Sequence, residues 1–387
     1  MQYVTEQVKR QRFFGAVAIY IGTAIGAGVF GIPYVVNKAG FWIGMLHIVI
    51  LGSLITLVVL AYGEVITRTP GQHQLAGYAK IYFGRKGQIC AWLALFFGIY
   101  SALVAYTIEV GNFLHAIVSP LLGGSAKIYS NIFFLLMAIV LYLGLRMVVT
   151  VEKIMVIALL GIIALISVWG FPFIEIQHYF QEHALEYFMQ PYGVILFALG
   201  AASAIPAMHE ILKNKQHTLK RAILTGSSIT ILVYILFTII VIGITGSATS
   251  ESAIIGLGQK LGPFILVIGS IFGILAMTTS FMTLGIVLKE SYEYDLQLSR
   301  NTAWLLVISI PFIIVTLDLL SFIEILGLGG AIVGGLDGIL ILMMHTKVQN
   351  KQKKSVAFQL MLPKTLKYGM YALFVIGIGY AIIQTLK

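Results

Sequence analysis

Two long apolar stretches of the chain are each interrupted by a cluster of small residues that ends in a proline. The interruptions read IGAGVFGIP at residues 25–33 and LGAASAIP at residues 199–206. Glycine disfavours the helix and proline lacks a backbone donor, so we expect both helices to unwind at these points. Unwound backbone inside a membrane is tolerated only where it is buried in protein or lines a cavity. The two interruptions therefore predict an internal cavity between two broken helices.

The composition places these stretches in a membrane protein. Of 387 residues, 59% are hydrophobic and 10% charged, whereas soluble domains have about 45–50% apolar and about 25% charged residues. Eleven apolar stretches have about 18 residues or more, the length that crosses a bilayer. We therefore predict an all-α integral membrane protein with 11 transmembrane helices and the lipid bilayer as its surroundings. The single cysteine, Cys90, excludes an intrachain disulfide.

Basic residues are distributed unevenly between the two sides of this topology. All but four of the 25 Lys and Arg residues fall on one side, the exceptions being Lys38, Lys127, Lys260 and Lys387. The positive-inside rule then predicts a multi-pass plasma-membrane protein with a cytoplasmic N-terminus and an external C-terminus. The net charge of +10 is thus explained by orientation, without nucleic acid as a partner. Recognition of anionic lipid by the basic cluster at residues 347–354 is an open alternative.

The predicted spans divide into two halves of five. In chain order we expect a cytoplasmic tail (1–12), a first repeat (13–173), an external amphipathic helix (174–190), a second repeat (191–346), a basic cytoplasmic loop (347–367) and an eleventh helix (368–387). An odd number of spans per half gives the halves opposite orientations, which is an inverted 5+5 repeat. The breaks then occupy the same place in helices 1 and 6, which is typical of the binding site of a secondary transporter. Ordinary proline kinks are the alternative interpretation.

The ends of broken helices suit a zwitterionic ligand. Free N–H groups at a positive helix end bind a carboxylate, and free carbonyls at a negative end bind an ammonium group or a cation. Small residues leave room for the ligand. The substrate-binding candidates are Thr23, Ala24, Gly26, Ala27 and Gly28 on the first break, and Phe197, Gly200, Ala201 and Ser203 on the second.

Predicted span eight carries the polar run Ala276-Met277-Thr278-Thr279-Ser280-Phe281. Adjacent hydroxyls backed by a helix carbonyl can present several hard oxygens to a small cation. Alternatively, these hydroxyls bond back to carbonyls of their own helix, as is routine in membrane helices.

Two acids lie within predicted spans, Glu109 in span three and Asp337 in span ten. A charge near mid-bilayer costs about 2.5–3.5 kcal/mol on insertion scales, so both are candidates for proton coupling. For Glu109 the alternative is a paired or water-solvated group near the outer rim. Glu64, Glu290 and Asp318 fall at span ends, where solvated charge is expected.

Catalytic chemistry has no support in the sequence. Gly26, Gly28 and Gly31 match a dinucleotide fingerprint, yet the acidic residue that should follow about 20 positions later is missing, and Pro33 closes the motif. The sequence shows no hydrolase triad, P-loop or metal cluster. We therefore expect a non-enzyme without a cofactor.

The motifs together resemble a known family. The run GTAIGAG at residues 22–28, with Ile32-Pro33, resembles the first helix of the amino acid/auxin permease family, and especially bacterial tyrosine and tryptophan permeases. The pattern Ala276-x-x-Thr279-Ser280-Phe281, the Tyr100-x5-Tyr106 spacing and the 11 spans are similar as well.

The resemblance implies a LeuT-type fold and a site for each ligand. Substrate would lie between the breaks, with Tyr100 or Tyr106 over it and Ser280 nearby. Sodium would bind the carbonyls of Gly22, Ile25 and Ala276 and the hydroxyls of Thr279 and Ser280. Bacterial aromatic permeases of this type are thought to use protons instead, so H+ is the alternative to Na+.

The function expected from the resemblance is cation-coupled symport of neutral amino acids, including aromatic ones, by alternating access. A monomer is expected. The alternative is a membrane sensor that binds an amino acid without coupled transport.

Overall fold

The computed structural model describes residues 2–144, 149–181, 185–212, 216–351 and 359–385. These residues form fourteen α-helices joined by short turns, with no strand among them. The helices are α1 (Gln2–Ala24), α2 (Gly28–Ala39), α3 (Phe41–Arg68), α4 (Leu75–Leu122), α5 (Ala126–Leu143), α6 (Val149–Gly170), α7 (Gln190–Ala198), α8 (Ala204–Ile211), α9 (Gln216–Thr245), α10 (Ala253–Leu261), α11 (Pro263–Glu290), α12 (Arg300–Thr316), α13 (Phe322–Lys351) and α14 (Lys364–Thr385). The predicted all-α class is confirmed.

The number of membrane-spanning helices is only partly settled. Among the described residues, seven helices are long and apolar enough to cross a membrane, and α1 with α2 makes an eighth as a bent pair. The other predicted spans correspond to α6, to the pair α7 and α8, and to α12. Their described apolar parts are shorter, so the count of eleven is not confirmed. In the predicted basic loop, residues 352–358 lie outside the described residues, as do the basic residues Arg146, Lys213, Lys215 and Lys387 of the topology count.

Both predicted helix breaks are present. Between α1 and α2 the chain unwinds and bends by 56°, and α7 and α8 are separated by residues 199–203. Pro206 is the third residue of α8, where a missing N–H costs little because the first N–H groups of a helix have no intrahelical partner. The breaks therefore form where glycine weakens the helix, and a proline lies beyond each of them.

The two breaks share a four-residue pattern and touch each other. Each first half-helix ends at an alanine, in Ala-Ile-Gly-Ala (24–27) and in Ala-Leu-Gly-Ala (198–201). A Cβ added to Gly28 would lie 2.6 Å from the Cβ of Ala198, closer than side-chain carbons approach. Glycine at position 28 thus allows α2 to start directly against the end of α7.

Close packing against α13 fixes α7 and α4. A Cβ on Gly330 would overlap the carbonyl oxygen of Gly193 in α7, and one on Gly329 would lie 2.6 Å from the Cβ of Ser101 in α4. Small residues at such contacts allow membrane helices to approach closely. The glycines of α13 are thus packing positions.

The described part of residues 174–189 does not form the predicted amphipathic α-helix. Their described part forms 3-10 turns at Ile176–Phe180 and Leu185–Tyr187, while Glu182 and His183 lie outside the described residues. The Tyr179 hydroxyl donates to the carbonyl of Ile239, and the Glu175 N–H donates to that of Gly243. The predicted continuous helix is therefore not observed in the described part of this segment, and these bonds tie the segment to α9.

Glu64 also differs from its prediction as a solvated charge. It is fully buried, and its Oε1 lies 2.6 Å from Nη2 of Arg68. Its Oε2 lies 2.9 Å from Nε2 of His345 and accepts a 2.7 Å bond from the N–H of Leu360. The side chain is buried because it joins α3, α13 and the segment before α14.

Candidate functional site

A small cavity of about 20 Å³ lies at the first break. It is lined by the break itself and by α4, α6 and α11, through Ile25, Gly26, Ala27, Phe30, Tyr106, Leu159, Ala276, Met277 and Ser280. A cavity of this volume holds about one water molecule. The structure thus brings the first break and the polar run of α11 to the same point.

Gly26 provides the open side of this cavity. A Cβ added there would lie 3.6 Å from the Tyr106 hydroxyl, with no other described atom beyond its chain neighbours within 4 Å. Tyr106 is 7% exposed, and its hydroxyl is hydrogen-bonded to the Ser280 side chain. A larger residue at position 26 would therefore fill the space between the break and Tyr106.

Only one of the two candidate tyrosines lines the cavity. The Tyr100 hydroxyl donates to the carbonyl of Leu306 at 2.9 Å and lies 2.9 Å from the Tyr292 hydroxyl. Tyr106 is six positions after Tyr100, which is about 240° around a helix, so the two side chains face different neighbours. Tyr106 is the tyrosine at the break, and Tyr100 joins α4 to α12.

The cation-binding candidates are only partly brought together. Ile25, Ala276 and Ser280 line the cavity. Thr279 is buried, and its hydroxyl donates to the carbonyl of Ala276 at 2.8 Å, as the back-bonding interpretation predicts. Both oxygens keep lone pairs for a further partner. Gly22 is exposed on α1 and is not among the residues that line the cavity.

Three first-break candidates lie away from the cavity. The exposed Thr23 donates its hydroxyl to the carbonyl of Ile19 in its own helix. The Ala24 carbonyl accepts the N–H of Gly26 and a 2.9 Å bond from Tyr234, so it is already engaged. Gly28 packs on Ala198. The small size of Gly28 thus serves helix packing.

The second-break candidates Phe197, Gly200, Ala201 and Ser203 are also absent from the described lining of the cavity. Phe197 packs against Gly330, because the glycines of α13 let α7 approach closely. Ala201 is buried, whereas Gly200 and Ser203 are exposed. The two breaks thus differ in surroundings although their sequences are similar.

Tyr234 of α9 is a residue that the sequence did not single out. It is fully buried, and its hydroxyl donates to the carbonyls of Ala24 at 2.9 Å and Ala198 at 2.7 Å. A buried tyrosine hydroxyl needs a hydrogen-bond partner, so a tyrosine inside an apolar span is the signal that the sequence offers. No spacing relates position 234 to either break, so the partners could not be named.

Glu109 has no ion-pair partner among the described residues. It is fully buried, and its Oε2 accepts a 2.6 Å bond from Ser252 and a 3.2 Å bond from Asn112. Its Oε1 has no hydrogen-bond partner among the described residues. The carboxyl group joins α4 to the loop before α10.

Glu251 lies next to Ser252 in that loop and accepts the N–H of Ile323 at the start of α13. Burial, with a smaller contribution from the negative charge of Glu324, raises the pKa of Glu251 above its usual value of 4.5, and Lys38 opposes this rise. Glu251 also interacts electrostatically with Glu109 and Tyr34. The loop therefore contacts α13 through an acidic side chain whose pKa is raised by burial.

Asp337 of α13 has a buried Oδ1 with no hydrogen-bond partner among the described residues. The buried Tyr62 hydroxyl of α3 likewise has no partner there, and the two side chains interact electrostatically. Asp337 is not at the first break.

A larger cavity of about 200 Å³ lies where α3 ends, α4 begins and α8 passes. It is lined by both polar and apolar residues, namely Ile66, Gln72, His73, Gln74, Tyr78, Pro206, Ala207, His209 and Glu210. It is therefore adjacent to the second half of the second broken helix.

Comparison with known proteins gives a consistent result. The model of the tryptophan/tyrosine permease family matches residues 9–384. Similar curated proteins include tyrosine-specific transport system 1 of Haemophilus influenzae, 26% identical over 74% of this chain and 74% of that protein. Glutamine transporter 2 of Aliivibrio fischeri is 21% identical over 89% of this chain and 91% of that protein.

Among solved structures, MhsT in complex with L-phenylalanine is similar, with a TM-score of 0.66 and 13% identity. The match covers 96% of this chain and 98% of MhsT. The likeness shows the LeuT-type fold that the sequence motifs implied.

Proposed function

Because the chain belongs to the tryptophan/tyrosine permease family, we propose that it is a secondary transporter that carries a neutral amino acid across the plasma membrane. The observation that carries this proposal is the cavity at the first break, where Gly26 leaves space facing Tyr106 and Ser280. It is the one place among the described residues where unwound backbone, an aromatic hydroxyl and the polar run of α11 meet.

The chemistry of the break suits the two charged groups of an amino acid. The start of α2 is a positive helix end for the carboxylate, and the end of α1 is a negative end for the ammonium group. Phe30 and Tyr106 line the cavity and would pack against a large side chain, so we propose aromatic amino acids as the preferred class. A typical ligand pocket has about 300 Å³ or more, so the cavity of about 20 Å³ must widen to admit substrate.

We propose sodium as the coupling ion. Ile25, Ala276 and Ser280 line one water-sized cavity, and Thr279 directs its hydroxyl to the Ala276 carbonyl beside it. Carbonyl and hydroxyl oxygens are the ligands that hard cations prefer. Proton coupling is the alternative, and the buried Glu109 carboxyl, whose Oε1 has no hydrogen-bond partner among the described residues, favours it.

We propose that substrate moves by alternating access, with one cavity serving as its exit. The basic residues support a cytoplasmic N-terminus, and with that orientation the larger cavity beside α8 would face the cytoplasm. We propose that substrate leaves the first break through this cavity after the second half of the second broken helix moves.

Uptake by purified protein in liposomes tests the proposal. Labelled tyrosine, tryptophan, phenylalanine, leucine and glutamine are offered under an imposed sodium gradient, under a proton gradient and under neither. The proposal predicts sodium-driven accumulation of at least one aromatic amino acid and no accumulation with choline in place of sodium.

Other outcomes are equally decisive. Uptake that ignores sodium and collapses with a protonophore assigns the proton as the coupling ion. Binding of an amino acid without flux supports a sensor and contradicts transport.

A further inference from the structure

The ends of both broken helices converge on the hydroxyl group of Tyr234. Ala24 is the last residue of α1 and Ala198 the last residue of α7, and their carbonyl oxygens lie 2.9 and 2.7 Å from that hydroxyl. The last carbonyls of a helix have no intrahelical partner and carry the negative end of its dipole. Two such ends would repel each other without a donor between them.

The hydroxyl has a single hydrogen to share between the two carbonyls. It is fully buried, so the described geometry leaves it no contact with bulk water. The close contact of Gly28 with Ala198 also holds the start of α2 against the end of α7. The first and second breaks are therefore linked at one point by a shared hydrogen bond.

The first break is the one whose position matters for the cavity. Ile25 and Gly26, which line the cavity, directly follow Ala24. Tyr234 itself is not among the lining residues. Its hydroxyl can therefore affect a ligand only through the backbone that it holds.

We propose that Tyr234 is a positioning residue that holds both breaks in the geometry that binds substrate. The hydroxyl fixes the carbonyls of Ala24 and Ala198 to one point, and a displacement of either break is transmitted to the other. This inference rests on the proposed function for its main readout, the binding of an amino acid.

Tyr20 provides a matched control. It is 2% exposed, lies on α1, and its hydroxyl accepts a 2.8 Å bond from Ser227 of α9. Tyr234→Phe and Tyr20→Phe each remove one buried hydroxyl from the surroundings of α9, so their effects on thermal stability should be similar. Only Tyr234→Phe releases the break carbonyls.

The experiment measures the dissociation constant of purified protein for the amino acid that the wild type binds most tightly among the five named above. Tyr234→Phe should weaken binding about tenfold, the effect of one hydrogen bond, and Tyr20→Phe should change it less than twofold. Equal affinities of both variants and the wild type overturn the inference. So does an equal loss in both variants.

Two further measurements keep the inference open to contradiction. If Tyr234→Phe does not fold, 3-fluorotyrosine is placed at position 234 instead. Its hydroxyl is a stronger donor, so this variant should bind the amino acid at least as tightly as the wild type does; weaker binding contradicts the inference.

If the wild type binds none of the five amino acids, the proposed function fails. The inference is then still tested by the distance between spin labels at positions 38 and 210 in a Cys90→Ser background. Tyr234→Phe should broaden that distance distribution and Tyr20→Phe should not; the same distribution in both overturns the inference.

Discussion

The first and second breaks have nearly the same sequence and different surroundings. Ala-Ile-Gly-Ala at 24–27 and Ala-Leu-Gly-Ala at 198–201 both end a half-helix, and both offer their first carbonyl to Tyr234. The glycine of the first break faces open space and Tyr106. The second break follows a helix that is packed tightly on α13.

This difference shows that small residues serve two purposes in one molecule. At Gly26 the missing side chain leaves open space in front of Tyr106, where we propose that the ligand binds, whereas at Gly193 and Gly330 it lets helices touch. All three residues are glycines, and only the atoms of the neighbouring helices distinguish them. Substitutions should therefore separate binding from folding.

The largest effect is expected from Gly330→Leu. A Cβ there would overlap the Gly193 carbonyl and lie 2.5 Å from the Phe197 amide nitrogen, and backbone atoms cannot move aside cheaply. We expect loss of monodisperse protein by fluorescence size-exclusion chromatography. Gly379→Leu is the control, because a Cβ at Gly379 meets no described atom within 4 Å; equal yields of the two variants would show that the packing is looser than described.

Gly26→Leu should weaken substrate binding more than about 100-fold, which abolishes measurable binding, while the protein still folds. Leucine would occupy the space in front of Tyr106, which costs binding more than the loss of any single hydrogen bond. Gly200→Leu should weaken binding less than tenfold, because its Cβ points to carbonyls of its own chain segment. Isothermal titration calorimetry measures the substrate affinity of both variants. A larger loss of affinity in Gly200→Leu than in Gly26→Leu would reverse the roles of the two breaks.

Thr279→Ala combined with Ser280→Ala should remove the stimulation of binding by sodium, because two of the proposed oxygen ligands are lost. Thr278→Ala is the matched control, since the Thr278 hydroxyl bonds back to the carbonyl of Ile274, whereas the Thr279 hydroxyl bonds to that of Ala276, which lines the cavity. Binding at a series of sodium concentrations gives the readout. Retained stimulation in the double variant, with Glu109→Gln abolishing the pH dependence of uptake, would favour the proton.

The smallest effect is expected at Glu251, outside the membrane-spanning helices. Its raised pKa means that the folded protein holds this proton more tightly than the unfolded chain. The resulting stabilisation is complete at low pH and is lost as the pH rises from about 4.5 through the raised value. Glu251→Gln should remove this part of the pH dependence and raise the Tm by roughly 1–2 °C at neutral pH. If the Tm of the variant and that of the wild type change with pH in parallel across that range, the assignment is contradicted.

The breaks could be predicted from sequence because glycine and proline act locally on the helix. The meeting of Ile25 with Ala276 and Ser280 followed from the family resemblance, and the structure brings these three residues to one cavity. The two breaks look alike in sequence, because the sequence does not show which helix packs on each.

Long-range partners account for what the sequence did not predict. Glu64 has the position of a solvated span end, yet His345 and Leu360 bury it. The segment at 174–190 has an amphipathic pattern, and bonds to α9 hold it in 3-10 turns. Tyr234 lies in an apolar span, and its partners are distant in the chain.

The most direct test of the difference between the breaks is an experimental map of the protein with its preferred amino acid bound. The account predicts ligand density beside Gly26, within hydrogen-bonding distance of the Tyr106 hydroxyl, with the second break linked to it through Tyr234. Density that contacts Gly200 and Ser203 without reaching Gly26, or that lies between His73 and His209 alone, would contradict it.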